Sequence, residues 1–324
     1  MKTGKLFSLL TATVFVLFFS ASGAVGQIIY DSIPSPLPNN LVSQGFECCE
    51  INEIGDHVQF AGTNRRLSSV TVTMSDWACE SGDWWGNTGD CMTTPGATFS
   101  HPITLNIYDD SLNLLATKTQ DFDIPYRPSQ DPANCGPETH TWYDPSADTC
   151  YNGLAFNITF DLSTLNVVLP DEVIFGVTYN TSNRGYEPIG VSGDYDSLNV
   201  GLRDYTEFSP PSVGTDVNSD AVFLSSTSNA LLHEETGWTP YTPAISFTAA
   251  LPVPMIKNDC KKGGWRNLSR ADGTTFKNQG KCIQYVNTTA KNGCKNGGWQ
   301  SLSKADGSPF KNQGHCIQYF NTGK

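Results

Sequence analysis

The cysteines of this 324-residue chain set the first limit on its fold, because all ten lie between positions 48 and 316 and most are predicted to form local pairs. An even number of cysteines favours disulfides over reactive thiols in an exported chain. No C-x-x-C motif occurs, which argues against a thiolate zinc site or a thioredoxin-like redox centre. The expected disulfides are Cys79 with Cys91, Cys135 with Cys150, Cys260 with Cys282, and Cys294 with Cys316.

Two cysteines remain outside these pairs. Cys48 and Cys49 are adjacent, and neighbouring cysteines join only through a strained ring. Their partners, whether each other or another chain, stay open, and so do other pairings among the cysteines before position 251.

Residues 1–26 read as a secretory signal peptide. Lys2 and Lys5 precede an apolar run from Leu6 to Phe19, and small residues ending at Gly26 supply a cleavage site. The run is shorter than the roughly 20 residues that span a bilayer. No later segment is apolar enough to cross a membrane, so we expect a secreted, extracellular or cell-surface protein with no transmembrane segment after cleavage.

Charge divides the remaining chain into two parts. Residues 27–255 carry 6 Lys/Arg against 29 Asp/Glu, whereas residues 256–324 carry 12 against 3. Such asymmetry indicates two units with different surfaces. The segment between them, residues 251–257, contains alternating prolines and is predicted to be a semi-rigid linker.

The basic part is an internal repeat. Residues 258–290 match residues 292–324 at 22 of 33 positions, with a period of 34. We assign repeat 1 to residues 258–290 and repeat 2 to residues 291–324, each closed by its own cysteine pair. So small a unit needs a covalent crosslink, worth about 3 kcal/mol for a loop of this size. Short strands around Phe276 and residues 282–285, with their copies, are predicted to form a small hairpin module.

The acidic part, residues 27–250, reads as all-β. Short β-branched and aromatic runs alternate with Gly, Pro, Asn and Asp turns, and no segment after the signal peptide shows sustained helical periodicity. An antiparallel, jelly-roll-like β-sandwich is predicted, followed by the two disulfide-stapled modules. The predicted strands are 66–74, 103–108, 114–123, 153–160, 172–179, 198–203, 221–225 and 244–250.

Two cysteine-bracketed loops, 79–91 and 135–150, carry the candidate ligand-binding residues. Long loops on a rigid β scaffold commonly hold binding sites. Aromatic rings suit the flat apolar face of a sugar, and carboxylates accept hydrogen bonds from its hydroxyls. The alternative is that the rings cap the open end of the sandwich core. The candidates are Trp84, Trp85, Trp142 and Tyr143, with Asp83, Asp90 and Asp144.

No catalytic motif is present: G-x-S-x-G, H-E-x-x-H and G-x-x-x-x-G-K are all missing. Asp194-Tyr195-Asp196 and residues 216–220 offer oxygen ligands at a spacing that calcium would accept. Solvated turn carboxylates explain them equally well, so calcium is a candidate cofactor and the presence of any metal stays open.

The repeats carry a second set of candidate residues. Lysines beside exposed rings would bind an anionic cell-envelope polymer with salt-sensitive affinity. The alternative places the rings in the minimal core of each module. The candidates are Trp265, Trp299, Tyr285, Tyr319, Lys277 and Lys311.

The pattern C-x-x-G-G-W…F-K-N-Q-G-x-C-I-Q-Y resembles a short Cys/Trp repeat at the C-termini of varied secreted bacterial proteins, with no agreed function. The body's opening, with Tyr30-Asp31-Ser32-Ile33-Pro34 and residues 55–62 and 71–77, is similar to uncharacterised exported bacterial β-sandwich proteins. The resemblance implies location and fold, and it transfers no catalytic residue.

These observations favour a secreted or envelope-associated, non-catalytic binding protein. Its partner would be an extracellular glycan or an anionic envelope polymer, with basic repeats for surface attachment and no role for nucleic acid. The alternatives are a carbohydrate-active enzyme, either a hydrolase or a lyase, and a structural component of an extracellular matrix or coat.

Overall fold

The computed structural model describes residues 26–38, 40–46, 49–82, 90–136, 142–179, 198–209, 211–251, 256–270, 273–295, 297–300, 304 and 308–322. Residues 1–25 of the predicted signal peptide, Cys48 and linker residues 252–255 therefore lie outside the described residues, whereas Gly26 is the first residue of a strand. Among the described helices, none is long and apolar enough to cross a membrane.

Between residues 26 and 250 the described strands form two seven-stranded antiparallel sheets and one two-stranded sheet, so the predicted all-β fold is confirmed. The strands of the first sheet are β1 (Gly26–Asp31), β2 (Ser43–Gly45), β4 (Leu67–Asp76), β9 (Leu154–Asp161), β11 (Leu198–Asp204), β15 (Tyr241–Pro243) and β16 (Ile245–Ala250). Their order in the sheet is β1-β16-β4-β11-β15, and in addition β2 pairs with β11 and β9 pairs with β4. All eight predicted strands are present, within five residues at their ends.

The strands of the second sheet are β3 (Ile51–Gln59), β5 (Thr98–Tyr108), β6 (Leu114–Pro125), β10 (Glu172–Thr178), β12 (Thr215–Asp216), β13 (Ala221–Ser226) and β14 (His233–Thr236). Their order in the sheet is β14-β13-β3-β10-β5-β6, and in addition β12 pairs with β3. The predicted β5–β6 hairpin is confirmed, and Asp109 holds its turn by accepting hydrogen bonds from the amides of Ser111 and Asn113.

Aromatic rings fill the space between the sheets. Phe247 on β16 lies 5.8 Å, centroid to centroid, from Phe175 on β10, and 5.2 Å from Phe60, just after β3. At the sheet edges, Phe122 of β6 meets Phe160 of β9 at 4.9 Å. Burial of these large rings supplies much of the hydrophobic stabilisation and fixes how the two sheets face each other.

A polar contact also crosses this core. Asp56 on β3 is 1 % exposed, and its carboxyl accepts a hydrogen bond from Thr242 Oγ1 on β15 of the opposite sheet. Burial raises the pKa of Asp56 well above its ordinary value, and the Asp216 carboxyl on β12 raises it further. A carboxyl in this position favours its neutral form.

The repeats contain helices, so the predicted hairpin modules are wrong. The main helices are α2 (Gln279–Cys294) and α3 (Gln313–Thr322), each preceded by a short 3-10 turn, Gly264–Asn267 and Gly298–Gln300. Asn278, which reads as a turn residue, caps α2 by accepting the Lys281 amide, and Asn312 accepts the His315 amide of α3 in the same way.

The apolar spacing in the repeats is helical as well. Cys282 and Val286 lie one turn apart on α2 and pack with Phe276 in the core of repeat 1. Repeat 2 has an equivalent core of Cys294, Phe310 and Cys316. In each repeat only a few buried residues follow this helical spacing, so the sequence shows no long amphipathic segment.

Candidate functional site

The four predicted disulfides are present, and two of them fix the loops at the place where β4 and β6 end and β5 and β9 begin. Cys79 bonds Cys91 across the first loop, and Cys135 bonds Cys150 across the second. The other two bonds, Cys260–Cys282 and Cys294–Cys316, close the repeats.

Residues 127–130 run between these two loops and connect them. The Arg127 amide donates to Ala78 O at 3.1 Å, and the Gln130 amide donates to Cys91 O at 3.0 Å. On the other side, the Tyr143 amide donates to Ser129 O at 3.1 Å. The second loop folds into a small hairpin of β7 (Trp142–Asp144) and β8 (Thr149–Tyr151), next to a one-turn helix α1 (Pro132–Cys135). Backbone hydrogen bonds therefore connect the described parts of the two loops to each other.

Trp142, predicted to contact ligand, is instead a core residue of this unit. Its side chain is 6 % exposed, and its ring lies against the guanidinium of Arg127, with Cζ 3.5 Å from the ring centroid. Its Nε1 donates to Cys91 Sγ at 3.1 Å. The ligand-binding prediction for Trp142 is therefore wrong, because the ring is the buried partner of a buried cation.

Arg127 itself was missed by sequence reasoning. It is fully buried, and its Nη1 donates to Asn152 O at 2.7 Å. Its guanidinium also lies over the Trp77 ring at 5.8 Å. The residue types in a sequence do not reveal which arginine will stack on tryptophan, although the low count of basic residues in this acidic part made each one notable.

Residues of the second loop and of the chain between the two loops form most of the lining of a cleft of about 670 Å³, here named the Tyr143 cleft. Its apolar lining residues include Met92, Pro95, Pro125 and Leu154. Its polar lining residues include Gln130, Asp131, Asn134, Tyr143, Asp144 and Ser146. A volume of this size is typical of small-ligand sites, which combine apolar surface with a few fixed polar groups.

Tyr143 and Asp144, two of the predicted ligand-binding residues, both line the cleft, and their role in binding stays a prediction. Tyr143 OH donates to Asp148 Oδ1 at 2.8 Å, and this bond raises the pKa of the phenol. Asp144 Oδ1 accepts from the Ser146 hydroxyl at 2.7 Å and from its amide at 2.8 Å. Those bonds, the hydroxyl bond first, lower the pKa of Asp144, so its carboxylate is ionised and oriented.

Asp131 and Asn134 are cleft residues that sequence reasoning missed. Asp131 caps α1, because Oδ1 accepts the amides of Ala133 and Asn134, while Oδ2 accepts Asn134 Nδ2 at 2.6 Å. The side-chain bond from Asn134 is the main reason that the pKa of Asp131 is lowered. The signal that could have found it is the Asp-Pro start of a helix, with the cap followed by proline.

Of the candidates in the first loop, only Asp90 lies among the described residues. Asp83, Trp84 and Trp85 lie outside the described residues. Asp90 is exposed and is not among the residues lining the cleft. Its carbonyl oxygen lies where a Cβ on Gly82 would be, 1.9 Å from that atom, and Gly82 has φ of 86°, so this loop requires glycine at position 82.

The cleft carries two ionised carboxylates and no described lining residue that is Lys, Arg or His. An anionic ligand would be repelled, whereas hydroxyl groups would find acceptors at Asp131 and Asp144 beside the Tyr143 ring. The arrangement suits a neutral polyhydroxylated ligand.

The calcium candidates are distributed differently. Asp194 and Asp196 lie outside the described residues. Asp216 accepts from Tyr205 OH at 2.7 Å and from the Asn218 amide, and Asp220 accepts from Thr239 Oγ1. In the part of the chain that the structure describes, no group of three or more His, Cys, Asp or Glu side chains is suited to hold a metal.

In the repeats, the candidate rings and the candidate lysines separate. Trp265 and Tyr285 are half-buried against the core of repeat 1, and Trp299 and Tyr319 are half-buried against that of repeat 2. The Arg266 guanidinium covers the Trp265 ring at 4.6 Å. The small modules thus use these rings as part of their cores, whereas Lys277 and Lys311 are exposed. The binding role of both sets stays a prediction.

No protein-family model matches the chain, and neither a curated protein nor a solved structure matches it. The resemblance to exported bacterial proteins stays a prediction. What the molecule does must therefore be argued from the Tyr143 cleft and the basic repeats.

Proposed function

We propose that the chain is an exported, non-catalytic binding protein whose β-sandwich binds a neutral saccharide in the Tyr143 cleft. The observation that carries the proposal is that the polar side chains of Asp131, Tyr143 and Asp144 line one cavity of about 670 Å³. Asp131 and Asp144 are each oriented by hydrogen bonds within their own turns. Preorganised acceptors lose little freedom when a ligand binds.

The disulfides support the same proposal. Two bridges and the buried Arg127–Trp142 pair hold the loops that form the cleft. Disulfides of this density are typical of proteins outside the reducing cytosol, which agrees with the predicted signal peptide. The basic repeats would then hold the protein at the cell envelope.

A glycan array probed with the full-length protein tests the proposal. Tyr143→Ala and Asp131→Ala should each weaken binding to the best glycan by about tenfold, since each removes a contact or a charged hydrogen-bond acceptor. Asp109→Ala is the matched control: Asp109 also holds an exposed turn through its carboxylate, but on the β5–β6 hairpin outside the cleft.

Other outcomes would replace the proposal. If the wild type and both cleft variants bind neutral glycans with equal affinity, the saccharide site lies outside the Tyr143 cleft. Shortened glycan products would identify an enzyme, and self-assembly without any glycan hit would identify a structural component.

A further inference from the structure

Each repeat presents an equivalent set of exposed basic side chains. The first set contains Lys261, Lys277 and Lys281 of repeat 1. The second set contains Lys295 and Lys311 at the matching positions of repeat 2. The position that matches Lys281 is occupied by His315, which is half-buried against the Phe310 ring and is not part of the set. Lys277 and Lys311 each follow a buried phenylalanine that is 4 % exposed. Each of these lysines also precedes the asparagine that caps the helix of its repeat. The fold therefore places the second set as it places the first.

The positive charges of these sets are not neutralised by acidic neighbours in the described structure. The close contacts between basic and acidic side chains that the described residues show, His57–Glu172 and Arg65–Asp171, belong to the sandwich. Lys261 Nζ donates to an amide oxygen of Asn258, and Lys281 Nζ to that of Gln284, both neutral groups. Exposed cations without acidic partners attract polyanions.

The two sets are also held in a fixed relation. Helix α2 begins in repeat 1 and ends at Cys294, which is the first cysteine of repeat 2. Cys294 is bonded to Cys316 on α3, with their Cα atoms 5.9 Å apart, and α2 and α3 contact each other. A continuous helix of 16 residues, about 24 Å long, thus joins the modules without a flexible linker.

From this geometry we infer that the two repeats together form one bivalent site for a linear acidic polysaccharide, with one lysine set per repeat. A polymer with anionic groups at regular intervals engages both sets at once, and a rigid junction raises the effective concentration for the second contact. Recognition is electrostatic and not by ring stacking, because the aromatic rings are committed to the module cores. The inference rests on the proposed attachment to the envelope, and it is independent of saccharide binding in the Tyr143 cleft.

The test measures binding of the full-length protein to long polygalacturonate and to a short galacturonate oligomer that reaches only one repeat. The wild type should bind the long polymer about 100-fold more tightly than the oligomer, with affinity falling as salt rises. The double variant Lys277→Ala/Lys281→Ala in repeat 1 should lose most of the difference in affinity between the long polymer and the oligomer. The double variant Lys295→Ala/Lys311→Ala in repeat 2 should lose it as well. The matched control, Arg66→Ala with Lys118→Ala, removes two positive charges from the sandwich and should keep the difference.

Three results would overturn the inference. The first is tighter binding of the long polymer that survives in either repeat variant, and the second is a loss in the control variant as large as that in the repeat variants. The third is binding of duplex DNA or anionic phospholipid vesicles as tight as the binding of polygalacturonate. Intact disulfides in each variant, measured by mass spectrometry, show that the modules remain closed. Tyr143→Ala should bind polygalacturonate like the wild type, which separates failure of this inference from failure of the cleft.

Discussion

The Trp142 indole lies on the buried guanidinium of Arg127, with Cζ 3.5 Å from the ring centroid, and its Nε1 donates to Cys91 Sγ. One side chain of the second loop thus contacts the disulfide of the first. Neither residue of the pair lines the Tyr143 cleft, so under the proposed function the ligand contacts belong to lining residues such as Tyr143 and Asp144.

Trp142→Ala should therefore destabilise the fold by about 3–5 kcal/mol, as loss of a large buried ring generally does. Urea unfolding measures the change. Tyr143→Ala, one position along and half-buried, should cost about 1 kcal/mol or less. Equal stability of the two variants would mean that Trp142 is not part of the core.

The Arg127–Trp142 contact should also show energetic coupling. In a double-mutant cycle with Arg127→Met and Trp142→Phe, we expect a coupling free energy of about 1–2 kcal/mol, because the desolvated cation and the indole ring interact directly. Unfolding free energies of the four proteins provide the measurement. Additive single effects would contradict a direct interaction.

The buried Asp56 carboxyl predicts an unusual pH dependence. Burial, then the nearby Asp216 carboxyl, raises the pKa of Asp56, so the folded protein keeps a proton that the unfolded chain releases above about pH 4. The contribution of Asp56 to stability is then greatest in acid and falls as pH rises toward the raised pKa. Asp56→Asn should accordingly be more stable than the wild type at neutral pH, and the difference should shrink toward pH 3.

Chemical denaturation across this pH range tests the sign. Asp109→Asn is the control, because hydrogen bonds, chiefly from the Asn113 side chain, lower the pKa of Asp109. A lowered pKa gives the opposite effect: stability is lost as pH falls, so this variant should be less stable than the wild type at neutral pH. A difference between Asp56→Asn and wild type that does not change with pH would contradict the buried-carboxyl account.

Removing the bridge of repeat 2 should loosen a defined region. With Cys294→Ser and Cys316→Ser, amide hydrogen exchange should increase in α3 and in the last turn of α2, which Cys294 ends. A bridge closing a loop of this length stabilises by about 3 kcal/mol. Faster exchange in β4 or β16 would show instead that the repeats are needed to hold the sandwich.

Much of the architecture follows from local sequence patterns. The strand from Leu67 alternates apolar and polar residues, and cysteines close in sequence form the disulfides across each loop. The helices of the repeats were missed because Asn278 is equally typical of a turn and of a helix cap, and only the packing of Cys282 and Val286 distinguishes the two.

The candidate site was predictable only in part. Tyr143 and Asp144 line the cleft, whereas Trp142 between the same two cysteines is buried. In a strand, neighbouring side chains alternate in direction, but sequence alone does not say which of them faces the core. That choice depends on Arg127, a long-range partner that no local pattern identifies.

The most direct test of the central claim is a hydrogen-exchange footprint of the best neutral glycan on the full-length protein. We predict that saturating glycan slows amide exchange at residues 126–134 and 143–146, and that Tyr143→Ala removes this protection. Slower exchange confined to residues outside 126–134 and 143–146 would contradict the assignment of the Tyr143 cleft as the saccharide site. Slower exchange that persists unchanged in Tyr143→Ala would contradict it as well.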